Sequence, residues 1–284
     1  MEIKNVAVIG GGLMGRQIAL NAAIHGYVTK VTDSIPNVRA NVESWKEEYL
    51  AGRIAKCKMS AEQVAQIKAR FTVAESIQAA VSDADLVIEA VVEREDIKKI
   101  VFKEICQYAP AQAILTTNSS RMPSSRFMDC VTDPSKLANT HYNNPALVMK
   151  AVEVQQNPQT SEDTVQSLLE FCRKNGKTPI RIRKEVEGLA VSRILHAINE
   201  EALYLVENGY CDVEDVDNAC TAGLNHPMGP FRLMDFTGLD LNFDIRENEL
   251  KETGVKPLGY DLFKSYVDQG RLGRKVKKGF YDYD

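Results

Sequence analysis

Long apolar runs and long runs of one charge are both missing from this 284-residue sequence. No stretch reaches the roughly eighteen uninterrupted apolar residues of a membrane span, so we expect no membrane partner. The 35 basic and 39 acidic residues give a formal net charge of -4, so we expect no nucleic-acid partner. Residues 1–4 lead directly into a strand-like run and leave no room for a signal peptide, so we expect a cytoplasmic protein.

Cysteine patterns typical of metal sites and disulfide frameworks are also missing. The six cysteines lie far apart and include no C-x-x-C pair. We therefore expect reduced, mostly buried thiols and no metal ion. They are Cys57, Cys106, Cys130, Cys172, Cys211 and Cys220.

Short apolar runs alternate with amphipathic stretches in the first half of the chain. The runs 6–9 and 28–32 flank a helical pattern that begins at about Met14, and such alternation predicts a parallel sheet. The segment 44–70 has helical periodicity, many charges and no strand, which predicts two helices inserted as a hairpin. Further strands are predicted at residues 84–88, 113–117, 136–140, 151–154 and 179–182.

The periodicity changes in the last third of the chain. From Gly188 onward it is helical, with further helices after Asp212 and at about 258–269. We therefore predict a boundary near residue 186, with a sheet-containing domain over residues 1–185 and an all-α domain over residues 186–284.

The segment GGGLMG fits the pattern G-x-G-x-x-G and stands between an apolar strand and an amphipathic helix. In that context Gly10 permits a tight turn, Gly12 lets the backbone approach a pyrophosphate, and Gly15 lets the helix pack on the strand. The helix N-terminus attracts the phosphates. We assign this loop, with Leu13 and Met14, to a dinucleotide cofactor.

Asp33 ends the second predicted strand, 23 positions after Gly10. A carboxylate there accepts both ribose hydroxyls of NAD and repels a 2′-phosphate. Arg39 is nearby but too far along the chain to be an obvious phosphate clamp, so NAD is favoured over NADP. The predicted fold class is α/β: a Rossmann-type doubly wound parallel sheet with an inserted helical hairpin, followed by an all-α domain.

Ligands of open parallel sheets bind beyond the carboxyl ends of the strands. Three polar positions follow predicted strands: Glu93, the segment 118–120, and His141. The reference pKa of histidine suits proton transfer near neutrality, which hydride transfer from an alcohol requires. If residues 141–153 form two strands that turn near Leu147, their pairing sets the carboxylate of Glu153 opposite His141, where it can hold the imidazole.

Five segments occur in the order of a known family across the whole chain: GGGLMG, DADLVIEAVVE, THYNNPALVMKAVEV, GLNHPMGPFRLMDFTGLD and LGRKVKKGFYDYD. The sequence resembles the 3-hydroxyacyl-CoA dehydrogenases, especially the short 3-hydroxybutyryl-CoA type. The resemblance implies an NAD-binding Rossmann domain, a helical domain that forms a homodimer, an active site between the two, and a place in fatty acid metabolism.

The resemblance also implies roles for single residues. His141 matches the catalytic base, Glu153 its carboxylate partner, and Ser120 the hydroxyl that holds the substrate oxygen. The remaining matches are Asn144, which follows the histidine, Glu93 and Lys98 at the nicotinamide end of the cofactor, Asn118 in the cofactor loop, and Lys56 near the phosphates of CoA. His141 would take the C3 hydroxyl proton while hydride leaves C3.

Several positions depart from the family pattern. The usual catalytic asparagine of the second domain is Ser192, a shorter hydroxyl. The usual N-T-S-S-L is N-S-S-R-M, so Arg121 stands beside the substrate hydroxyl, where it can grip a carboxylate. The usual H-F-F-N-P is H-Y-N-N-P, and Asn143 makes the pocket floor more polar. In the hairpin, Lys56 is retained, but Gly52 stands where another lysine is common.

Three functions remain open on the sequence alone. The first is a dehydrogenase for short 3-hydroxyacyl-CoA thioesters, which the C-terminal motifs favour. The second is a paralogue that acts on a small free β-hydroxy acid bound by Arg121, which Asn143 and Ser192 also favour. The third is a non-catalytic NAD-binding protein, against which the joint presence of Ser120, His141 and Glu153 argues.

Overall fold

The apolar runs of the first half form a sheet within residues 2–284, the part of the chain that the computed structural model describes. The strands are β1 (Asn5–Ile9), β2 (Val28–Thr32), β3 (Phe71–Val73), β4 (Leu86–Glu89), β5 (Ile114–Thr117), β6 (Leu137–Tyr142), β7 (Ala151–Gln156) and β8 (Thr178–Ile182). They pair in the order β3-β2-β1-β4-β5-β6-β7-β8. Strands β1 to β6 are parallel, β7 is antiparallel to β6, and β8 is parallel to β7.

Eleven α-helices are described in the same residues. They are α1 (Leu13–Ile24), α2 (Pro36–Ala55), α3 (Ala61–Ala69), α4 (Ile77–Val81), α5 (Glu95–Tyr108), α6 (Glu162–Lys174), α7 (Leu189–Glu207), α8 (Val213–Asn218), α9 (Pro230–Thr237), α10 (Leu239–Thr253) and α11 (Tyr260–Asp268). Short 3₁₀ helices lie at Ser124–Cys130, Pro134–Lys136 and Arg274–Val276, and a π-helical turn at Ala219–Gly223. None of the helices in residues 2–284 is long and apolar enough to cross a membrane.

The sheet is buried on both faces, as a doubly wound fold requires. Along β1, Val6 and Val8 belong to one apolar cluster, and Ala7 and Ile9 to another. Side chains alternate across a strand, so these two clusters lie on opposite faces of the sheet. The predicted α/β class, with a Rossmann-type sheet and a helical C-terminal part, is confirmed.

Two compact units divide the chain, Met1–Ala190 and Val191–Asp284. The first holds the sheet, and the boundary that we predict near residue 186 falls in the connection between β8 and α7. The second unit has its own core around Leu203, Phe231 and Phe263.

The predicted hairpin is present as α2 and α3. A capping box of Ser60 and Gln63 begins α3, and Leu50 and Val64 are buried from the two helices. Helix α2 starts at Pro36, earlier than predicted, because proline suits the first helical position.

Three features of the sheet differ from the expectation. Strand β3 is missing from the prediction because it has only three residues. The sheet is not wholly parallel, as the fold class alone would predict, although the expected pairing of His141 with Glu153 already requires an antiparallel pair: eight residues, 143–150, join β6 to β7, and a parallel connection needs a dozen or more. Strand β6 continues to Tyr142, so His141 lies within the strand rather than after it.

Candidate active site

The glycine loop has the geometry that a dinucleotide site requires. Gly10 has a φ of 112°, and a Cβ there would lie 2.4 Å from the carbonyl oxygen of Ala90. A Cβ on Gly15 would lie 1.8 Å from the carbonyl oxygen of Gly10, so the helix can approach the strand only without a side chain. Gly12 caps α1, and a Cβ there would meet nothing within 4 Å. Open space thus faces the N-terminus of a helix, where a pyrophosphate fits.

Asp33 is held by the same loop. Its Oδ2 accepts a hydrogen bond from the Gly11 N–H at 2.8 Å, and its Oδ1 accepts one from the Ile35 N–H at 3.0 Å. Arg39 follows Asp33 by six residues, and it is not too far to reach it: its guanidinium donates a hydrogen bond to the Asp33 carbonyl oxygen at 2.7 Å. The guanidinium also pairs with Glu75 at 3.3 Å, which offsets its charge. A fixed carboxylate beside the loop fits the adenosine ribose of NAD.

His141 and Glu153 form a buried pair, and the predicted strand pairing is confirmed. The antiparallel register sets His141 directly opposite Glu153, and the Nδ1 atom lies 2.9 Å from Oε2. Glu153 is fully buried, and its Oε1 accepts a hydrogen bond from the Ala190 N–H at 2.7 Å. These two hydrogen bonds, one to each oxygen, fix the orientation of the Glu153 carboxylate.

This pair can exchange a proton with a ligand. A carboxylate only accepts hydrogen bonds, so Nδ1 of His141 carries the proton and Nε2 of the neutral ring holds the lone pair. The side chain is 12% exposed, so the ring is largely shielded from water. If a proton arrives at Nε2, the Glu153 carboxylate stabilises the imidazolium.

The loop after β5 carries three of the predicted residues. The Asn118 side-chain oxygen accepts a hydrogen bond from the Tyr142 N–H at 2.9 Å, which ties the loop to the residue after His141. Ser120 and Arg121 are exposed, and their side chains have no hydrogen bond or ion pair within residues 2–284. A hydroxyl and a guanidinium are therefore available to a ligand.

Glu93 and Lys98 are in contact, but their side chains differ in exposure to solvent. Lys98 is 1% exposed, and its Nζ contacts Glu93 at 3.2 Å and Glu89 at 2.7 Å. Glu93 is 37% exposed and accepts a hydrogen bond from Ser119. Sequence reasoning missed Glu89, although a charged residue that ends the fully buried strand β4 is the kind of signal that could have found it.

Asn139 was also missed. It is buried in β6, and its amide donates to the carbonyl oxygens of Ser119 at 3.3 Å and Met122 at 3.1 Å. Its oxygen accepts from the Ser124 N–H at 2.7 Å. One asparagine thus holds the backbone of the loop that carries Ser120, and nothing local in the sequence marks it.

The turn after β6 holds Asn143 and Asn144. The Asn143 amide donates to the Ala151 carbonyl oxygen at 3.4 Å, and Asn144 is exposed. Lys177 holds the rest of the turn, since its Nζ donates to the carbonyl oxygens of Ala146 at 2.5 Å and Met149 at 2.9 Å. Burial lowers the pKa of Lys177.

Two predicted residues lie elsewhere. Lys56 is exposed at the C-terminal end of α2, in the hairpin. Ser192 is exposed on α7, in the second unit.

The six cysteines are free thiols, and no group of three metal-ligating side chains is found in the described residues.

Two family models match consecutive parts of the chain. The NAD-binding domain of 3-hydroxyacyl-CoA dehydrogenase matches residues 5–186, and the C-terminal domain of the same enzyme matches residues 188–283. A probable 3-hydroxybutyryl-CoA dehydrogenase of Bacillus subtilis is 34% identical over 288 residues, which cover 100% of this chain and 99% of the relative.

Solved structures agree with this match. The (S)-3-hydroxybutyryl-CoA dehydrogenase of Ralstonia eutropha superimposes with a TM-score of 0.84 at 29% identity, and each chain is covered completely. A diketoreductase described as acting on dicarbonyl compounds superimposes with a TM-score of 0.87 at 28% identity, again over both whole chains. The chain therefore belongs to the 3-hydroxyacyl-CoA dehydrogenase family of NAD-dependent oxidoreductases.

Proposed function

We propose that the protein interconverts short-chain 3-hydroxyacyl-CoA and 3-ketoacyl-CoA thioesters, with His141 as the acid and base. The observation that carries this proposal is the His141–Glu153 pair, which leaves Nε2 of the imidazole as a proton acceptor in a shielded position. Bound NAD supplies the hydride acceptor. His141 takes the proton of the C3 hydroxyl as the C3 hydride is lost, and in reverse it returns that proton to the carbonyl oxygen.

The surrounding residues bind and orient. The available hydroxyl of Ser120 holds the substrate oxygen. On the family pattern Asn144 is the asparagine that follows the catalytic histidine, and Ser192 replaces the catalytic asparagine of the second domain. Glu93 and Asn118 face the nicotinamide end of the cofactor, and Asp33 its adenosine ribose. Lys56 contacts the CoA phosphates from the hairpin.

A second candidate is a dehydrogenase of a small free β-hydroxy acid. Arg121 supports it, because an exposed guanidinium without an ionic partner in residues 2–284 suits a carboxylate. Asn143 adds polarity to the same region, and the structural likeness to a diketoreductase extends the range of carbonyl substrates that this fold accepts.

One assay separates the two candidates: oxidation of NADH with acetoacetyl-CoA, compared with a panel of free β-keto acids at neutral pH. A catalytic efficiency above about 10⁴ M⁻¹s⁻¹ on the thioester, the lower end of ordinary enzymes, supports the first candidate. Turnover of a free acid with little activity on the thioester supports the second. Arg121→Leu should then raise KM for the acid far more than for the thioester. Equal effects on both substrates would contradict the proposal that Arg121 binds a substrate carboxylate.

The oligomeric state, the cellular location and the metabolic role stay predictions. We propose a homodimer formed through the second unit, where Phe236, Leu241 and Ile245 are exposed. A cytoplasmic location and a role in fatty acid metabolism are expected on the sequence alone, and so is the domain boundary near residue 186.

A further inference from the structure

A continuous chain of hydrogen bonds joins the end of β4 to the loop after β5. Glu89 accepts from the Lys98 ammonium at 2.7 Å, and Lys98 lies 3.2 Å from the second carboxylate, Glu93. Glu93 accepts from the hydroxyl of Ser119, which in turn accepts from the Met122 N–H at 2.8 Å. We call these four side chains, Glu89, Lys98, Glu93 and Ser119, the Glu89–Ser119 network.

Protein acceptors surround the Lys98 ammonium. Its ammonium has three N–H groups, and three acceptors surround it: Glu89, Glu93 and the Val91 carbonyl oxygen at 3.4 Å. Both oxygens of Glu89 are also used within the protein, since it accepts from the Thr117 hydroxyl at 2.6 Å and the Val91 N–H at 2.7 Å. The inner half of the network therefore acts only on other protein groups.

Ser119 is the link to the substrate side. Its hydroxyl has one donor and two acceptor positions. The donor is used on Glu93, and the acceptors are used on the Met122 N–H and on the Arg121 N–H at 3.3 Å. The side chain is 3% exposed, so water does not replace these bonds. The turn that these bonds close, residues 119–122, carries Ser120 and Arg121.

We propose that Glu89, Lys98 and Ser119 are positioning residues that hold the cofactor-facing carboxylate and the substrate-facing turn in one rigid arrangement. Lys98 holds the Glu93 carboxylate from its buried side. The proposal rests on the proposed function, in which Glu93 contacts the cofactor and Ser120 holds the substrate oxygen. It explains why a hydroxyl is needed at position 119, where the family pattern has threonine.

Ser119 is the best point at which to test the network. Removal of Glu89 or Lys98 leaves a buried charge unpaired and destabilises the whole fold. Ser119→Ala removes only the hydroxyl, and Ser119→Thr restores it. The matched control is Ser125→Ala in the following 3₁₀ helix, because the Ser125 hydroxyl has no hydrogen bond within residues 2–284.

The kinetic test uses acetoacetyl-CoA and NADH. Loss of a buried hydrogen-bonded hydroxyl should raise KM for acetoacetyl-CoA and lower kcat about tenfold in Ser119→Ala. KM for NADH should change less than about threefold, because the Lys98 ammonium still holds Glu93. Ser119→Thr and Ser125→Ala should stay near the wild type in all three constants. The proposal is overturned if Ser119→Ala matches the wild type, or if Ser119→Thr is as impaired as Ser119→Ala.

Hydrogen exchange gives a readout that needs no substrate. In Ser119→Ala the amides of Arg121 and Met122 should exchange at least about tenfold faster, while Ser119→Thr should protect them as the wild type does. Unchanged exchange in Ser119→Ala would contradict the network whatever the enzyme acts on. An inactive wild type with the expected exchange pattern would instead contradict the proposed function and leave the network standing.

Discussion

The two oxygens of Glu153 accept from different donors, and this determines the chemistry of His141. Oε2 faces the imidazole Nδ1, and Oε1 faces the Ala190 N–H at 2.7 Å. Both donors are therefore satisfied only by a group with two acceptor atoms. The carboxylate also supplies the negative charge that stabilises a protonated imidazole.

Glu153→Gln should impair proton transfer without unfolding the site. An amide has one acceptor oxygen, so either the Ala190 N–H loses its partner or the amide NH₂ group faces Nδ1. In the second case Nδ1 must accept and Nε2 carries the proton of a neutral ring, so the imidazolium that donates the proton in the reduction loses its stabilising carboxylate. We expect kcat for acetoacetyl-CoA reduction to fall about 10²- to 10⁴-fold, the range of general acid–base catalysis. A variant with unchanged kcat would show that the carboxylate has no part in the reaction.

Thiol reactivity should follow burial. Burial raises the pKa of Cys172 to about 12, whereas Cys57 is exposed at the hairpin. At pH 8 only about one Cys172 in 10⁴ is then a thiolate, and the thiolate is the reactive form. With a disulfide reagent at pH 8 we expect a fast phase from Cys57 and none from Cys172 until unfolding. Cys57→Ser should remove the fast phase, and a fast phase that persists unchanged would contradict the assignment.

At the residue scale the sequence predicts what lies at strand ends and misses what supports it. His141, Ser120 and Asp33 could be found because parallel strands bring their carboxyl ends together. Glu89 and Asn139 contact residues that are distant in sequence, such as Thr117 and Ser119, and the only local mark is the charge of Glu89 at the end of β4. Their roles depend on tertiary geometry alone.

At the element scale the β6–β7 pair supplies the site. The short connection forces antiparallel pairing, and the register then brings His141 and Glu153 together. Lys177, the residue before β8, donates hydrogen bonds to two carbonyl oxygens of the connection and fixes it. The sequence predicts this pairing from the symmetry of residues 141–153 about their midpoint. It does not predict β3, because three residues are too few for a periodic pattern.

Asp235 should be a main support of the second unit. The buried carboxylate accepts from the N–H groups of Phe280 at 2.8 Å and Tyr281 at 3.0 Å, and from the Tyr283 hydroxyl at 2.9 Å. We expect Asp235→Ala to lower the free energy of unfolding by about 3 kcal/mol, because buried donors lose their partner. The control Asp282→Ala removes the ion pair with Arg271, in which Asp282 is exposed, and should cost less than about 1 kcal/mol. Equal losses in urea denaturation would contradict the role of Asp235.

At the scale of the whole molecule, the second unit exposes apolar side chains that a partner copy can cover. Leu241 and Ile245 are four residues apart on α10 and so share a face. We expect light scattering to give twice the 31.6 kDa of one chain. Leu241→Asp combined with Ile245→Asp should shift the mass to one chain. The control Ile100→Asp, at an exposed position of α5, should not. A wild-type mass of one chain would contradict the dimer.

The sequence predicts the fold class correctly because each part of the chain has a pattern of its own: strand alternation in the first and helical periodicity in the second. The substrate is harder to predict, because it depends on a few side chains such as Arg121 and Ser192 that depart from the family pattern.

The central claim is that His141 exchanges the proton of the reaction. The most direct measurement is the rate of NADH oxidation by acetoacetyl-CoA in the wild type and in His141→Ala, with NADH affinity measured separately by fluorescence. We predict a fall in kcat of about 10²- to 10⁴-fold with NADH affinity unchanged. A His141→Ala enzyme that keeps the wild-type kcat would contradict the account.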